Sequence, residues 1–145
     1  MSIKMNREEI QKIIPQSDPI LLADEVVEMI PEKSVTTRFY VDPKMDVLRG
    51  HFPNEPVYPG VYTVEGMAQA VCILLLSIER YKNKTPLFLG IDKLRFVKKV
   101  SPGDTLEIRV TVISERQEKA LAICAAEATV NGEVVASGEV TLAIR

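Results

Sequence analysis

The 145-residue sequence contains no tryptophan, one histidine and two cysteines. A single imidazole, His51, leaves no His-rich metal site, so no metal is expected. Two widely separated thiols, Cys72 and Cys124, are too few for a disulfide scaffold. Each lies in an apolar context (Ala-Val-Cys-Ile and Ala-Ile-Cys-Ala) and reads as a buried, reduced small hydrophobe. An excess of one charge is also missing: 18 Lys+Arg stand against 20 Asp+Glu, a formal net charge of −2. That excludes the basic surplus which nonspecific nucleic-acid binding requires. No apolar run reaches the ~20 residues of a membrane helix; the most apolar, Met67 to Ile78, reads as a core helix. Residues Met1 to Glu9 are charged and lack an apolar h-region, so no export signal is expected and the expected compartment is the cytoplasm.

What is present suits one ordinary globular domain spanning residues 1–145, with 46% hydrophobic and 26% charged residues. Asn6 and Glu9 have the spacing of a capping box, Ile10, Ile13 and Ile14 form one apolar face, and Pro15 stops the short helix. Ile20–Ile30 and Ser34–Val41 read as strands. Residues 42–60 hold Pro43, Pro53, Pro56 and Pro59, a density of proline that predicts a stiff loop without regular structure. Val61–Tyr81 then predicts a helix ~30 Å long. Its apolar residues cover most of the circumference, so it must be buried on nearly all sides. Four further strands follow, at Leu87–Val100, around Leu106–Val112, at Lys119–Val130 and at Val134–Ile144. The last two are joined by Asn131-Gly132, a type I′ hairpin signal. The implied class is α+β, an antiparallel sheet of about six strands wrapped round one long central helix.

Chemistry concentrates between residues 50 and 70. His51 sits on a segment stiffened by prolines. Pro59-Gly60 opens the buried helix, where the Gly60 N–H is an orphan donor at the positive end of the helix dipole. Glu65 is a carboxylate among apolar or small residues, which is costly unless it is paired. Together they suit a base, a donor to a developing oxyanion, and an acid. Removing a proton beside a carbonyl while expelling a β-hydroxyl calls for those three roles. Each residue alone has an ordinary reading: a lone surface histidine, a dipole-complementing glutamate, a common helix start. Their joint spacing is what points to chemistry.

The stretch Gly50–Ala70, G-H-F-P-N-E-P-V-Y-P-G-V-Y-T-V-E-G-M-A-Q-A, resembles the signature of bacterial β-hydroxyacyl-acyl carrier protein dehydratases of the FabZ type. Their pattern is approximately G-H-F-P-x-x-P-x-x-P-G-x-x-x-x-E-x-x-A-Q, and every fixed position is matched. A second block, Phe88 to Phe96 followed by Val100-Ser101-Pro102-Gly103-Asp104, is similar to the family's I-D-x-x-R-F … V-x-P-G-D. The resemblance spans nearly the whole chain. It implies a hot-dog fold, a homodimer often assembled as a trimer of dimers, no cofactor, and dehydration of (3R)-hydroxyacyl chains on acyl carrier protein to trans-2-enoyl chains. His51 would take the α-proton, Glu65 of the other subunit would protonate or position the leaving hydroxyl, and the Gly60 N–H would polarise the thioester carbonyl. Dehydratase-isomerases of the related FabA type carry Asp at position 65 and Cys at 61, where this chain has Glu65 and Val61; that favours dehydration without isomerisation.

Departures lie mainly near the N-terminus. The family's I-P-H-R-x-P-F-L-L-V-D-R becomes Ile14-Pro15-Gln16-Ser17-Asp18-Pro19-Ile20-Leu21-Leu22-Ala23-Asp24-Glu25, and a gating aromatic of some relatives is Leu87. These bear on substrate range and partner identity. Phe52, Val61, Leu87, Leu89 and Met67 are the candidate lining of an acyl tunnel. Lys93, Arg95, Lys98 and Lys99 are the candidate docking surface for an acidic carrier protein. A thioesterase using the helix carboxylate on water, a coenzyme A-dependent hydratase, and a silent acyl-binding subunit are the competing classes. The His-Phe-Pro loop disfavours the first, the motif the second, and retention of His51, Gly60 and Glu65 the third.

Overall fold

The computed structural model describes residues 2–145. Its first helix, α1 (Arg7–Gln11), begins at the expected box: Asn6 Oδ1 accepts from the Glu9 N–H at 2.9 Å and Glu9 Oε1 accepts from the Asn6 N–H at 3.0 Å. A strand missing from the sequence reading, β1 (Ile3–Asn6), leads into it. At four residues its alternation is too short to stand out. The expected strand Ile20–Ile30 is corrected to β2 (Glu25–Ile30). Residues 20–23 instead form a strap, exposed at Ile20 and buried from Leu21 to Ala23, because a side chain takes the place of a neighbouring strand: Gln69 Oε1 accepts from the Leu22 N–H at 2.8 Å and Gln69 Nε2 donates to the Ile20 carbonyl at 2.6 Å.

The strand β3 (Ser34–Tyr40) matches its expected place. The stiff loop is interrupted by a five-residue helix, α2 (Asp46–Gly50), which fits in the proline-free stretch between Pro43 and Pro53. The central helix α3 runs Gly60–Leu76, shorter than Val61–Tyr81. It ends as the Ser77 hydroxyl donates to the Ile73 carbonyl at 2.6 Å, and a 3₁₀ turn, Glu79–Tyr81, follows. Every residue from Gly66 to Leu76 is buried, as a helix apolar all round requires.

Four long strands complete the sheet: β4 (Pro86–Phe96), β5 (Thr105–Arg116), β6 (Leu121–Val130) and β7 (Glu133–Ile144). Asn131 and Gly132 both have positive φ, 52° and 81°, as a type I′ turn demands. The β6 start moves from Lys119 to Leu121 because a 3₁₀ turn at Gln117–Lys119 precedes it and Ala120 is left-handed. All neighbours are antiparallel, in the order β1-β2-β3-β5-β6-β7-β4. The sheet has seven strands where about six were expected. It wraps α3, which packs on β3 to β7. Gly66 permits the close approach to β5, since a Cβ there would stand 3.0 Å from Ile108 Cδ1. This is the hot-dog arrangement. Both thiols are buried. No helix among the described residues is long and apolar enough to cross a membrane.

The strand β4 is a sheet edge bonded only to β7. It carries the exposed Leu87, Phe88, Leu89 and Phe96, followed by exposed Val97. Exposed Asp92, Lys93 and Arg95 charge the second half of the edge, while the first half, Leu87–Leu89, has neither charge nor cover, which is unusual for an unpaired strand.

Candidate active site

The loop from Gly50 to Gly60 is closed by His51. Its carbonyl accepts from the Val57 N–H at 2.8 Å, and its ring Nδ1 lies 2.9 Å from the Val57 carbonyl oxygen. A carbonyl only accepts, so Nδ1 carries the proton and Nε2 is left with a free lone pair. The backbone thus selects the tautomer that a general base needs. The imidazole also stacks on Phe52, with ring centroids 4.3 Å apart. The loop is tied down at two further points. The Tyr58 N–H donates to the Val100 carbonyl at 2.8 Å, and Lys99 Nζ donates to Glu55 Oε1 at 2.8 Å. The Lys99 ammonium holds the Glu55 carboxyl below the usual carboxylate range.

Pro59 is the N-cap of α3 and has no side chain that can cap. Its carbonyl accepts from Tyr62 and Thr63, at 3.0 and 3.4 Å. The N–H groups of Gly60 and Val61 find no acceptor among the described residues. No acidic residue lies in the first turn, so the positive end of the helix is uncompensated. These donors and His51 border one cavity of about 520 Å³. Its other walls are Val57, Tyr58, Thr63, Phe96, Val135 and Ala136 with the 97–100 segment, and most of its surface is apolar. Gly60 is in close approach there: a Cβ would stand 2.8 Å from Phe96 Cε1, so any side chain would have to displace the ring.

Glu65 does not line this cavity. It lies half-buried on α3, and its Oε2 accepts from Gln69 Nε2 at 2.8 Å. The orientation of the Gln69 amide is fixed by its backbone partners, because Leu22 can only donate and Ile20 can only accept. A proton on Glu65 therefore belongs on Oε1, the oxygen not already accepting from Gln69. Within one copy the structure brings His51 and Gly60 together and leaves Glu65 apart.

Of the candidate tunnel residues, Val61 lines the cavity. Phe52, Leu87 and Leu89 lie outside it on exposed surface, and Met67 is fully buried core. The basic cluster is divided. Lys98 and Lys99 border the cavity, Lys93 borders a groove on the outer face of the sheet, and exposed Arg95 touches neither. Carboxylates offset three of the four charges: Lys93 pairs with Glu139, Lys98 with Glu133 and Lys99 with Glu55.

Sequence reasoning missed Gln69 and Phe96. Gln69 is fully buried and satisfies three groups. The argument applied to Glu65, a polar residue on an apolar helix, would have found it. Phe96 closes the second block of the family resemblance, which could have singled it out, but its contact with Gly60 is long-range and no local pattern shows it. Gln16, which stands where the family pattern has His, directs Nε2 to Cys72 Sγ at 3.9 Å and leaves Oε1 buried without a partner among the described residues.

A family model described as a FabA-like domain matches residues 14–139. The 3-hydroxyacyl-[acyl-carrier-protein] dehydratase FabZ of Clostridium perfringens is 46% identical over 140 residues, 97% of this chain and 99% of that protein. The protein of the same name from Enterococcus faecalis is 42% identical over 142 residues, 98% and 99% of the two chains. Among solved structures, a dehydratase heterocomplex, ApeI:P, from Xenorhabdus doucetiae superposes with a TM-score of 0.77 at 18% identity, covering 94% of this chain and 90% of that one. At that identity the likeness speaks for the fold.

Proposed function

The chain belongs to the family of FabA-like domains, and we propose that it is a dehydratase that removes water from (3R)-hydroxyacyl chains carried on acyl carrier protein, giving trans-2-enoyl chains in fatty-acid or related acyl-chain synthesis. The observation that carries the mechanism is the pairing, in one cavity, of an imidazole whose Nδ1 proton is committed to Val57 and the free N–H groups that open α3. The thioester oxygen accepts from Gly60, so the charge that develops as C2 loses its proton falls at the positive end of the helix. Nε2 of His51 takes that proton. The C2 electron pair forms the C2=C3 double bond as the C3–O bond breaks. The hydroxyl leaves as water with a proton supplied from Glu65 Oε1.

Because Glu65 lies outside its own copy's cavity, we assign the acid to a second copy, making the working unit a homodimer. The exposed Leu87, Phe88 and Leu89 of β4, which lie outside the cavity, with Phe52 and the 72% exposed Val61, are the surface such a partner would cover. Lys98 and Lys99, exposed beside the cavity, are the charges best placed to meet an acidic carrier protein.

The test is turnover of a carrier-bound 3-hydroxyacyl chain, followed as enoyl formation. His51→Ala and Glu65→Gln should each abolish it in a folded protein. Refolding the two together should restore about a quarter of the wild-type rate by statistical mixing, through hybrids with one complete site. Full activity in either single variant removes that residue from the mechanism. No recovery on mixing places both residues in one copy's site.

A further inference from the structure

Phe96 is the last residue of β4 and sits opposite Ala136 on β7. Its ring rests on Gly60: the site of a Cβ on that glycine lies 2.8 Å from Cε1, 3.0 Å from Cζ and 3.3 Å from Cδ1. Gly60 and Ala136 both border the same cavity as Phe96, so the ring lies between two positions with almost no side chain. It is nevertheless 53% exposed. An aromatic ring that the chain itself leaves half uncovered, in the wall of an apolar cavity, is available to contact a ligand.

The position of the ring relative to the chemistry follows from covalent geometry. The Gly60 N is one bond, about 1.46 Å, from the Cα on which the ring rests. A carbonyl oxygen accepting from that N–H lies ~2.9 Å from the nitrogen, and the acyl C1 and C2 are the next atoms along. The Phe96 ring therefore flanks the thioester end of the bound chain, and the far end of the acyl group lies elsewhere. We propose that Phe96 is a specificity-determining residue of the dehydration site: its ring, seated on Gly60, limits the space beside C2 and selects acyl chains that are unbranched there. The proposal rests on the dehydratase reading and adds to it the substrate class, 3-hydroxyacyl thioesters without a C2 substituent. A chain with one methyl at C2 still has the single hydrogen that His51 must remove, so its rejection is steric.

The experiment compares kcat/KM for carrier-bound 3-hydroxybutyryl and 2-methyl-3-hydroxybutyryl chains in wild type, Phe96→Ala, Phe96→Leu and Tyr40→Ala. Tyr40 is an exposed aromatic of β3 outside the cavity. The wild type should prefer the unbranched chain. Either Phe96 variant should shift the branched-to-unbranched ratio upward by about tenfold or more, the scale of one methyl group in a fitted pocket. Tyr40→Ala should leave the ratio unchanged. A merely structural role for Phe96 lowers both rates together, so an unchanged ratio in a folded variant overturns the proposal. A wild type that accepts both chains equally overturns it as well. Turnover of neither chain by wild type overturns the dehydratase reading, and this proposal falls with it.

Discussion

Replacing Gln69 with Leu removes one buried amide of nearly the same size and strips three groups of a partner. The three costs are unequal. The Leu22 N–H is buried against α3, with no route to water, and leaving such a donor unpaired costs about 1–3 kcal/mol. Ile20 is exposed, so its carbonyl can turn to water and loses little. Glu65 is half-buried and loses one of its hydrogen bonds, roughly another 1 kcal/mol. The sum is about 2–4 kcal/mol, which for a domain of this size lowers Tm by ~5–15 °C. Denaturant melts of Gln69→Leu measure it directly. Gln69→Glu separates hydrogen bonding from volume. Ionised, it keeps an acceptor for Leu22 but sets a carboxylate against the Ile20 carbonyl and Glu65; protonated, its one O–H can donate to either of the two acceptors that the amide serves together. Its stability should therefore recover as pH falls, since the folded state favours the protonated form. A Gln69→Leu loss under ~1 kcal/mol would show that the strap is held by the packing of Leu21 and Leu22 alone, and would refute the account of residues 20–23.

Gly60→Ala drives a methyl group to 2.8 Å from Phe96 Cε1 and should destabilise by about 1–3 kcal/mol. In Phe96→Ala the same change should cost less than ~1 kcal/mol, so the two are strongly coupled in a double-mutant cycle of denaturant melts; additivity would place the ring elsewhere. Burial raises both Cys72 and Cys124 from the ordinary thiol value to about 12. The unfolded thiols ionise near pH 9 while the folded ones keep their protons. Folding stability from this source is therefore complete below pH 9 and declines as pH climbs from 9 toward 12. Melts across that range should steepen for the wild type relative to Cys72→Ala/Cys124→Ala, and native thiols at pH 8 should react with Ellman's reagent only as fast as the protein unfolds.

The parts of the fold legible in sequence are those set by local rules. The capping box at Asn6, the turn at Asn131-Gly132, the alternation of β5 and β7 and the all-round apolar α3 each follow from residues adjacent in the chain. The misread parts depend on partners distant in sequence. Residues 20–23 have the composition of a strand, but a side chain from α3 answers the backbone of Ile20 and Leu22, and no periodicity reveals that. The end of α3 was overrun because Ser77 stops it without a glycine or proline. In the cavity, His51 and Gly60 were legible together because they share one loop. The apolar walls at Phe96, Val135 and Ala136 come from strands 36 to 76 residues beyond Gly60, so Leu87 and Leu89, apolar and near in motif, stood in for them.

The separation of Glu65 from the cavity is a consequence of helix geometry. Five residues beyond Gly60, a side chain is rotated by about 140° and lies ~7.5 Å further along the axis. A carbonyl held on the end of α3 thus cannot be reached from the face that carries Glu65 unless the substrate wraps round the helix. Moving the acid one turn earlier, toward Val61, would bring a carboxylate to the positive helix end, where it would occupy the donors the thioester oxygen needs. Keeping Gly60 and Val61 free of acid and placing the acid on the other side solves that conflict only if another copy of the chain presents its own Glu65 to the cavity. The exposed β4 edge and the exposed Val61 lie where such a copy would pack. On the proposed dehydratase reading, dimerisation and catalysis are a single requirement: a charge introduced at Leu87 or Leu89, both outside the cavity, should abolish turnover in proportion to the monomer it produces, as read by sedimentation. An active monomer would break this argument at its first step.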